Sequence, residues 1–167
     1  MVGLAGLLAV STGCMGMTGR AGLEATPEGF GGTAQVQLGP DGGEGRVGYL
    51  ATMRAGGGYG EGGFGLETCR RTPGWQSPMF CGRLAALELG SQQGAFSLGL
   101  LSPAVSVGGW LPLGARPEPS DGVKRASTEA LEFQLSLGLH VRPLRSWQGT
   151  TPYLSLTMGG GTGASWY

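Results

Sequence analysis

The sequence has little charge and almost no lysine. Charged residues occupy 13% of its 167 positions, and Lys124 is its single lysine, whereas soluble domains carry about 25% charged residues. The net charge at pH 7 is zero, which argues against the strongly basic surface that nucleic-acid-binding proteins use to contact phosphates. A soluble β-sheet protein must cover one face with solvated charge, and this chain has little charge for that purpose. The composition therefore favours a membrane environment and predicts no nucleic-acid partner.

No apolar run in the chain is long enough to cross a bilayer as a helix, which takes about 20 residues. A membrane protein of this sequence would therefore have to cross as strands. The short apolar run over residues 2–10 has the length of a signal-peptide core, and the small residues Ser11, Thr12 and Gly13 follow it. We predict a signal peptide over residues 1–13. The alternative is a buried apolar segment at the amino terminus.

Histidine and cysteine are also scarce. His140 is the single histidine and there are three cysteines, which leaves too few ligands for a typical metal site, so we predict neither metal nor cofactor. If Cys14 belongs to the signal region, Cys69 and Cys81 remain, and the segment RRTPGWQSPMF between them contains Pro-Gly and Ser-Pro turn signals. We predict a disulfide at the base of a hairpin loop, stabilising by roughly 3 kcal/mol and formed in an oxidising compartment. The alternative is two unpaired buried thiols.

Glycine is the residue in excess, with 36 copies, but it has no three-residue period, which excludes a collagen-like fold. Apolar and polar residues alternate between the glycines, as is typical of β strands. The longest such stretch, ALEFQLSLGLHVRP over 130–143, alternates from Leu131 to Arg142 without interruption. Shorter ones are TAQVQL, RVGYLATMR, GGFGLETC, FCGRLAALEL, AFSLGL, AVSVGGWLPL and PYLSLTM. The pattern predicts about eight strands and no clear amphipathic helix. The stretches AFSLGL and AVSVGGWLPL are either two strands or one strand bent through Pro103, which leaves the count at seven or eight.

Two kinds of fold fit such a ladder. In a soluble sandwich or barrel the apolar face points to a core, whereas in a membrane barrel it points to lipid and the polar face lines the lumen. Three features favour the membrane barrel: polar faces rich in Gly, Ser, Thr and Gln, a longest strand that exceeds the roughly 9–11 residues needed to cross a bilayer, and aromatic residues near strand ends. The predicted aromatic girdle consists of Tyr59, Trp110, Trp147, Tyr153, Trp166 and Tyr167.

The exported amino terminus, the Gly-rich alternating strands and the aromatic ending GASWY resemble small outer-membrane β-barrel proteins of Gram-negative bacteria. The resemblance implies an all-β, antiparallel up-and-down barrel of about eight strands over residues 30–167, after a linker over 14–29. It implies an outer-membrane location, with lipid and the barrel-insertion machinery as partners. Gly13-Cys14 also resembles a lipoprotein cleavage site, which makes Cys14 a candidate for lipidation. A strand count that begins at Thr33 predicts the Cys69–Cys81 loop at the barrel end opposite the termini.

Polar residues on the strands are predicted to fill the lumen, where unpaired charges are costly and ion pairs are expected. His140 shares its face with Ser136 and Glu132, but residues two apart on one face are separated by roughly 6.6–7 Å. Ser136 lies two such steps away and is out of hydrogen-bonding reach. We therefore predict an interior hydrogen-bonding histidine and no catalysis. The predicted lumen residues are Arg46, Arg54, Glu67, Arg83, Glu132, Gln134, Ser136, His140 and Arg142.

Three hypotheses of function follow. The first is an outer-membrane barrel of structural or interaction type, which presents extracellular loops from a rigid scaffold. The second is a soluble exported β-sheet lipoprotein that binds a partner or an apolar ligand in the periplasm, held by a lipid anchor. The third is a lipid-modifying barrel enzyme centred on His140. Membrane association separates the first hypothesis from the second.

Overall fold

The computed structural model describes residues 14–41, 45–56, 59–72, 76–92, 94–113, 125–143 and 149–166. These residues form eight β strands and no helix. Each strand pairs antiparallel with the next, and the last pairs with the first, so that the sheet closes into an up-and-down barrel. The all-β barrel predicted from the sequence is confirmed. The strands are β1 (Cys14–Thr26), β2 (Gly29–Asp41), β3 (Gly45–Gly56), β4 (Tyr59–Arg71), β5 (Ser77–Gln92), β6 (Ala95–Pro112), β7 (Arg125–Arg142) and β8 (Gly149–Trp166).

Alternation along each strand gives the barrel an apolar outside and a polar inside. Along β7, Leu131, Leu135 and Leu137 are exposed on the outer surface, while Glu132 and Gln134 between them are fully buried in the lumen. The other strands follow the same rule apart from one phase change each in β5 and β6, because successive side chains of a strand point to opposite faces. Within the described residues, no helix is long and apolar enough to cross a membrane.

The first strand occupies the segment that the sequence analysis assigned to a linker. Residues Cys14–Thr26 form β1, which pairs with both β2 and β8. Its alternation places Arg20 and Glu24 inside and Met17 and Leu23 outside, but glycines occupy several positions between them and carry no hydropathy signal. The linker prediction was wrong for this reason. Without β1 the sheet would keep two unpaired edges.

The stretches AFSLGL and AVSVGGWLPL, which the sequence left open as two strands or one bent strand, form one continuous strand, β6. β6 runs through Pro103, and its side-chain phase changes at Leu100 and Leu101, which both point outward. Leu101 has a φ of 53°, which is rare for a non-glycine residue and marks a bulge. β5 changes phase beside it at Ala86, where its register with β4 also shifts. The strand total remains eight because β1 replaces the strand lost by merging.

The additional first strand reverses the predicted placement of one loop. We call the end at which β1 starts and β8 stops the terminal end, and the opposite end the hairpin end. β3, β5 and β7 also start at the terminal end, where β2, β4 and β6 stop. The end of β4 and the start of β5, which carry Cys69 and Cys81, therefore lie at the same end as the start of β1, contrary to the prediction.

Closure of the barrel depends on close backbone approach at Gly22 in β1. A Cβ at Gly22 would lie 1.9 Å from the carbonyl oxygen of Leu156 in β8, whereas a Cβ at Gly19 of the same strand would meet nothing within 4 Å. We expect Gly22→Ala to lower the free energy of unfolding by about 1–3 kcal/mol through overpacking. Gly19→Ala is the matched control, and urea titration in lipid vesicles measures both. Equal stability of the two variants would contradict this account of closure.

Candidate functional site in the barrel lumen

The lumen is filled by charged side chains of both signs in equal number. Among the described residues, six arginines and six carboxylates are buried there. Isolated buried charges are strongly unfavourable, so each is expected to have a partner of opposite sign. The arginines are Arg20, Arg46, Arg54, Arg71, Arg83 and Arg142, and the carboxylates are Glu24, Asp41, Glu61, Glu67, Glu88 and Glu132.

Four of these residues form a group in the terminal half of the lumen, which we call the terminal cluster: Arg20, Arg46, Glu67 and Glu132. Arg20 donates hydrogen bonds from its two Nη atoms to Glu67 (2.8 Å) and to Glu132. Arg46 Nη2 donates to Glu132 Oε2 at 2.9 Å. The predicted lumen residue Gln134 also donates to Glu132, at 3.0 Å. The cluster thereby joins β1, β3, β4 and β7 across the interior.

Trp110 is buried in the lumen near the terminal end, although the sequence analysis placed it in an outer aromatic girdle. Only 1% of its surface is exposed. The Arg71 guanidinium lies 4.5 Å from the indole centroid and that of Arg46 lies 5.8 Å away, both in cation–π geometry. Arg71 also pairs with Asp41. Trp110 points inward because it is four residues from the buried Ser106 on the same strand, so both side chains lie on the inner face. Val105 and Val107 lie on the outer face.

The predicted disulfide between Cys69 and Cys81 is present. The two residues are directly opposite in the β4–β5 ladder, and their side chains face the lumen beside Met79. Gln134 Nε2 lies 3.3 Å from Cys81 Sγ. Glu67 lies within 4.8 Å of both sulfurs, but sulfurs bonded to each other offer no thiolate ligand. The group therefore serves as a covalent link between strands rather than as a metal centre.

A second group, the hairpin cluster, lies in the other half of the lumen and consists of Glu24, Arg54, Glu61, Glu88 and Arg142. Arg54 contacts three carboxylates, with Nη–Oε distances of 2.7 Å to Glu88, 2.9 Å to Glu61 and 3.5 Å to Glu24. Arg142 donates to Glu61 at 2.8 Å and 3.1 Å. Arg54 is the centre of this cluster because it is shared among the three acids.

His140 is surrounded by the hairpin cluster. Its ring stacks on Tyr153, with centroids 4.2 Å apart and an angle of 10° between planes. Its Nε2 is 3.3 Å from Glu24 Oε1, its Nδ1 is 3.8 Å from Glu88 Oε2, and Arg54 contacts the ring. The catalytic alternative needed a serine against the imidazole. The structure instead surrounds the ring with carboxylates, a guanidinium and a phenol ring.

The two clusters meet at Arg83. Its Nε lies 3.5 Å from Glu67 of the terminal cluster, and its Nη2 donates to the predicted lumen residue Ser136 at 3.4 Å. It also lines a cavity of about 10 Å³ together with Glu24 and Glu88 of the hairpin cluster. A space of that size holds about one water molecule. The described part of the lumen is thus packed with side chains.

The structure places two further members of the predicted girdle away from the outer surface. Tyr153 is buried in the lumen, because it lies in the opposite phase to Leu154. Tyr59 is half-buried at the hairpin end, and its ring occupies the space that a Cβ at Gly31 or Gly56 would need. The side chains of Trp147, Trp166, Tyr167 and Cys14 lie outside the described residues, so lipidation stays a prediction, as does the signal peptide over 1–13.

Several lumen residues were absent from the predicted set. Arg20 and Glu24 were missed because residues 14–29 were assigned to a linker, yet their four-residue spacing on a strand puts them on one face. Asp41 and Arg71 were missed because they stand at strand ends, where the alternation stops being informative. Each was detectable only with knowledge of the strand boundaries.

Comparisons with known proteins support the fold alone. No protein family matches the chain, and no curated protein matches it. The crystal structure of Neisserial surface protein A (NspA) is similar, with a TM-score of 0.59 and 12% sequence identity, over 89% of this chain and 96% of that chain. At 12% identity this similarity shows the fold alone, a closed eight-stranded barrel.

The hairpin cluster predicts a strong dependence of stability on Arg54. In Arg54→Met, the carboxylates Glu24, Glu61 and Glu88 lose their shared partner, and removing one member of a buried ion pair costs about 3–5 kcal/mol. Arg70→Met is the control, because Arg70 is exposed on the outer surface. Adding Glu88→Gln to Arg54→Met should recover part of the loss. Denaturant titration measures all three, and an Arg54→Met variant as stable as Arg70→Met would contradict the role of the cluster.

The disulfide is expected to stabilise the barrel through chain entropy. Cys69 and Cys81 are 12 residues apart in sequence, for which loop closure predicts about 3 kcal/mol. Replacing both by serine should lower the free energy of unfolding by about that amount. Alkylation before and after reduction checks the bond in the native protein. Alkylation of both thiols without reduction would show that it does not form.

Proposed function

We propose that this protein spans the outer membrane of a Gram-negative bacterium as a structural or interaction barrel. The observation that carries the proposal is the inverted polarity of the fold. Large apolar side chains such as Phe64, Leu137 and Met158 are exposed all round the barrel, whereas the arginines and carboxylates are buried. In water this apolar outer surface would stay exposed at a cost in free energy, whereas a bilayer covers it with lipid.

The height of the apolar surface matches a bilayer. On β7 every outward side chain from Leu131 to Val141 is apolar. Ten residues of strand measure about 33 Å, and a tilt of 35–45° reduces this to about 25 Å along the barrel axis, the height of a lipid-facing band. The exposed charges Arg70 and Glu129 lie at the terminal end and Glu28 at the hairpin end. Charge thus borders the apolar band on both sides.

The soluble periplasmic alternative fits this surface poorly. Soluble monomers rarely expose continuous apolar patches larger than a few hundred Å², and here the apolar residues continue from strand to strand. The similarity to a Neisserial surface protein supports a location at the cell surface. A lipid at Cys14, the first residue of β1, would enter the leaflet at the terminal end, in addition to the barrel.

The packed lumen supports a structural role rather than transport. Ion pairs fill the interior, and the cavity beside Arg83 holds about one water molecule. We propose that the barrel is a rigid scaffold whose connections contact partners outside the membrane. The segments proposed to make these contacts are the longer connections, which follow β4, β6 and β7. In this proposal His140 stabilises the lumen and the protein catalyses no reaction.

The membrane location is testable by heat-modifiable mobility. The Cys14→Ser protein, which cannot be lipidated at that position, should remain with the outer membrane after carbonate washing. It should migrate differently before and after boiling, because a folded barrel resists detergent until heated. In planar bilayers the folded protein should give no single-channel steps. Recovery of Cys14→Ser in a soluble fraction would overturn the proposal, and stepwise conductance would overturn the scaffold role.

A further inference from the structure

Hydrogen-bonded pairing between β6 and β7 ends before either strand does. The ladder joins residues 104–112 of β6 to residues 130–138 of β7 and stops there. β6 nevertheless begins at Ala95, and β7 continues to Arg142, which is still paired with Gly149 of β8. Backbone pairing between the two strands is therefore missing toward the hairpin end. We call the point where it ends the fork.

Three neighbouring residues of β6 account for the fork. Pro103 has no N–H to donate to a ladder. Leu101, with its φ of 53°, turns the strand out of extended geometry. Ser102 between them replaces the missing backbone pairing, because its hydroxyl accepts a hydrogen bond from the Val141 N–H (3.1 Å) and donates one to Glu88 (2.6 Å). A side chain thus holds the two strands together where the ladder is absent.

A groove on the outer surface begins at the fork. One cavity of about 410 Å³ lies between Pro103 and Leu139, and a second of about 430 Å³ continues toward the terminal end as far as Leu135. Val105 and Leu137 line both cavities, so the two are parts of one groove. Among the described residues, no charged side chain lines it. We call it the fork groove.

The dimensions of the fork groove match one hydrocarbon chain. From Leu135 to Leu139 it follows β7 for about 13 Å, and the hydrocarbon of one leaflet is about 15 Å thick, half of a 30 Å core. The rim at the hairpin end has a separate surface depression of about 370 Å³ beside Pro143 and the exposed Thr150. An acyl chain in the groove would place its polar head group near that rim.

We propose that the fork groove binds one acyl chain of a bilayer phospholipid. The inference rests on the proposed membrane location and deepens it, because it assigns a bound lipid to one seam of a barrel that bulk lipid surrounds elsewhere. A linear alkyl chain lying along this groove contacts apolar side chains of both β6 and β7, such as Val105 and Leu137. At Pro103 and Leu139 the bound chain also covers the point where backbone pairing between β6 and β7 ends.

Photo-crosslinking of the full chain in vesicles tests the proposal. The vesicles consist of phosphatidylethanolamine with a trace of the same lipid carrying a diazirine in one acyl chain. Adducts mapped by mass spectrometry should concentrate on 103–107 and 135–139, several-fold above the equally apolar segment 34–38 of β2. Val105→Trp fills the groove and should lower these adducts several-fold. Val36→Trp, an outward valine away from the groove, is the matched control and should leave them unchanged.

The outcomes separate this proposal from the one on which it rests. Heat-modifiable mobility is measured on each sample to establish insertion. Inserted native protein with adducts spread evenly round the barrel overturns the acyl-chain site and leaves the membrane location intact, and this holds whether or not the tryptophan variants fold. Crosslinks from the groove to a second copy of the chain also overturn the site. Failure of the native protein to insert overturns the membrane location and the site together.

Discussion

Pairing of β1 with β8 is the constraint on which the rest of this structure depends. It runs from Met17, opposite Thr162, to Ala25, opposite Leu154, and it removes both edges of the sheet. A closed ladder gives every strand one inner and one outer face, so alternation in sequence becomes separation in space. The backbone approach at Gly22 that permits this pairing leaves no room for a side chain. Lumen and outer surface therefore exist only because a glycine-rich strand completes the circle.

The interior that closure creates is held by ion pairs instead of apolar packing. Glu132 of β7 forms ion pairs with Arg20 of β1 and Arg46 of β3. Arg142 of β7 forms an ion pair with Glu61 of β4. These pairs connect walls that are not neighbours in the ladder. Because burial penalises unpaired charge, the side chains constrain one another, and the lumen behaves as a packed core of polar groups. Such a core supports the proposed role of the barrel as a rigid scaffold.

The barrel departs from regular pairing where β5, β6 and β7 meet, and the departure has consequences on both faces. The bulges at Ala86 and Leu101 are neighbours on β5 and β6 and shift the phase of both strands together. On the inner face, this phase places the Trp110 side chain in the lumen. On the outside, Pro103 and the end of pairing beside Leu139 produce the groove to which we assign a lipid chain. A local rearrangement of backbone thus provides the feature that distinguishes one seam from the others.

Alternation by itself determined that the chain is made of strands and that residues such as Arg54, Glu67 and His140 share polar faces, since strand periodicity is local and readable. The spacing of Cys69 and Cys81 likewise indicated their bond. Only the tertiary structure decided that residues 14–26 supply the closing strand and which charges meet across the lumen. It also decided where the β6–β7 ladder ends. The closing strand could not be read from the sequence because glycine carries no hydropathy signal. The charge pairs could not be read because they are set by the register of strands round the closed barrel, where residues far apart in sequence become neighbours.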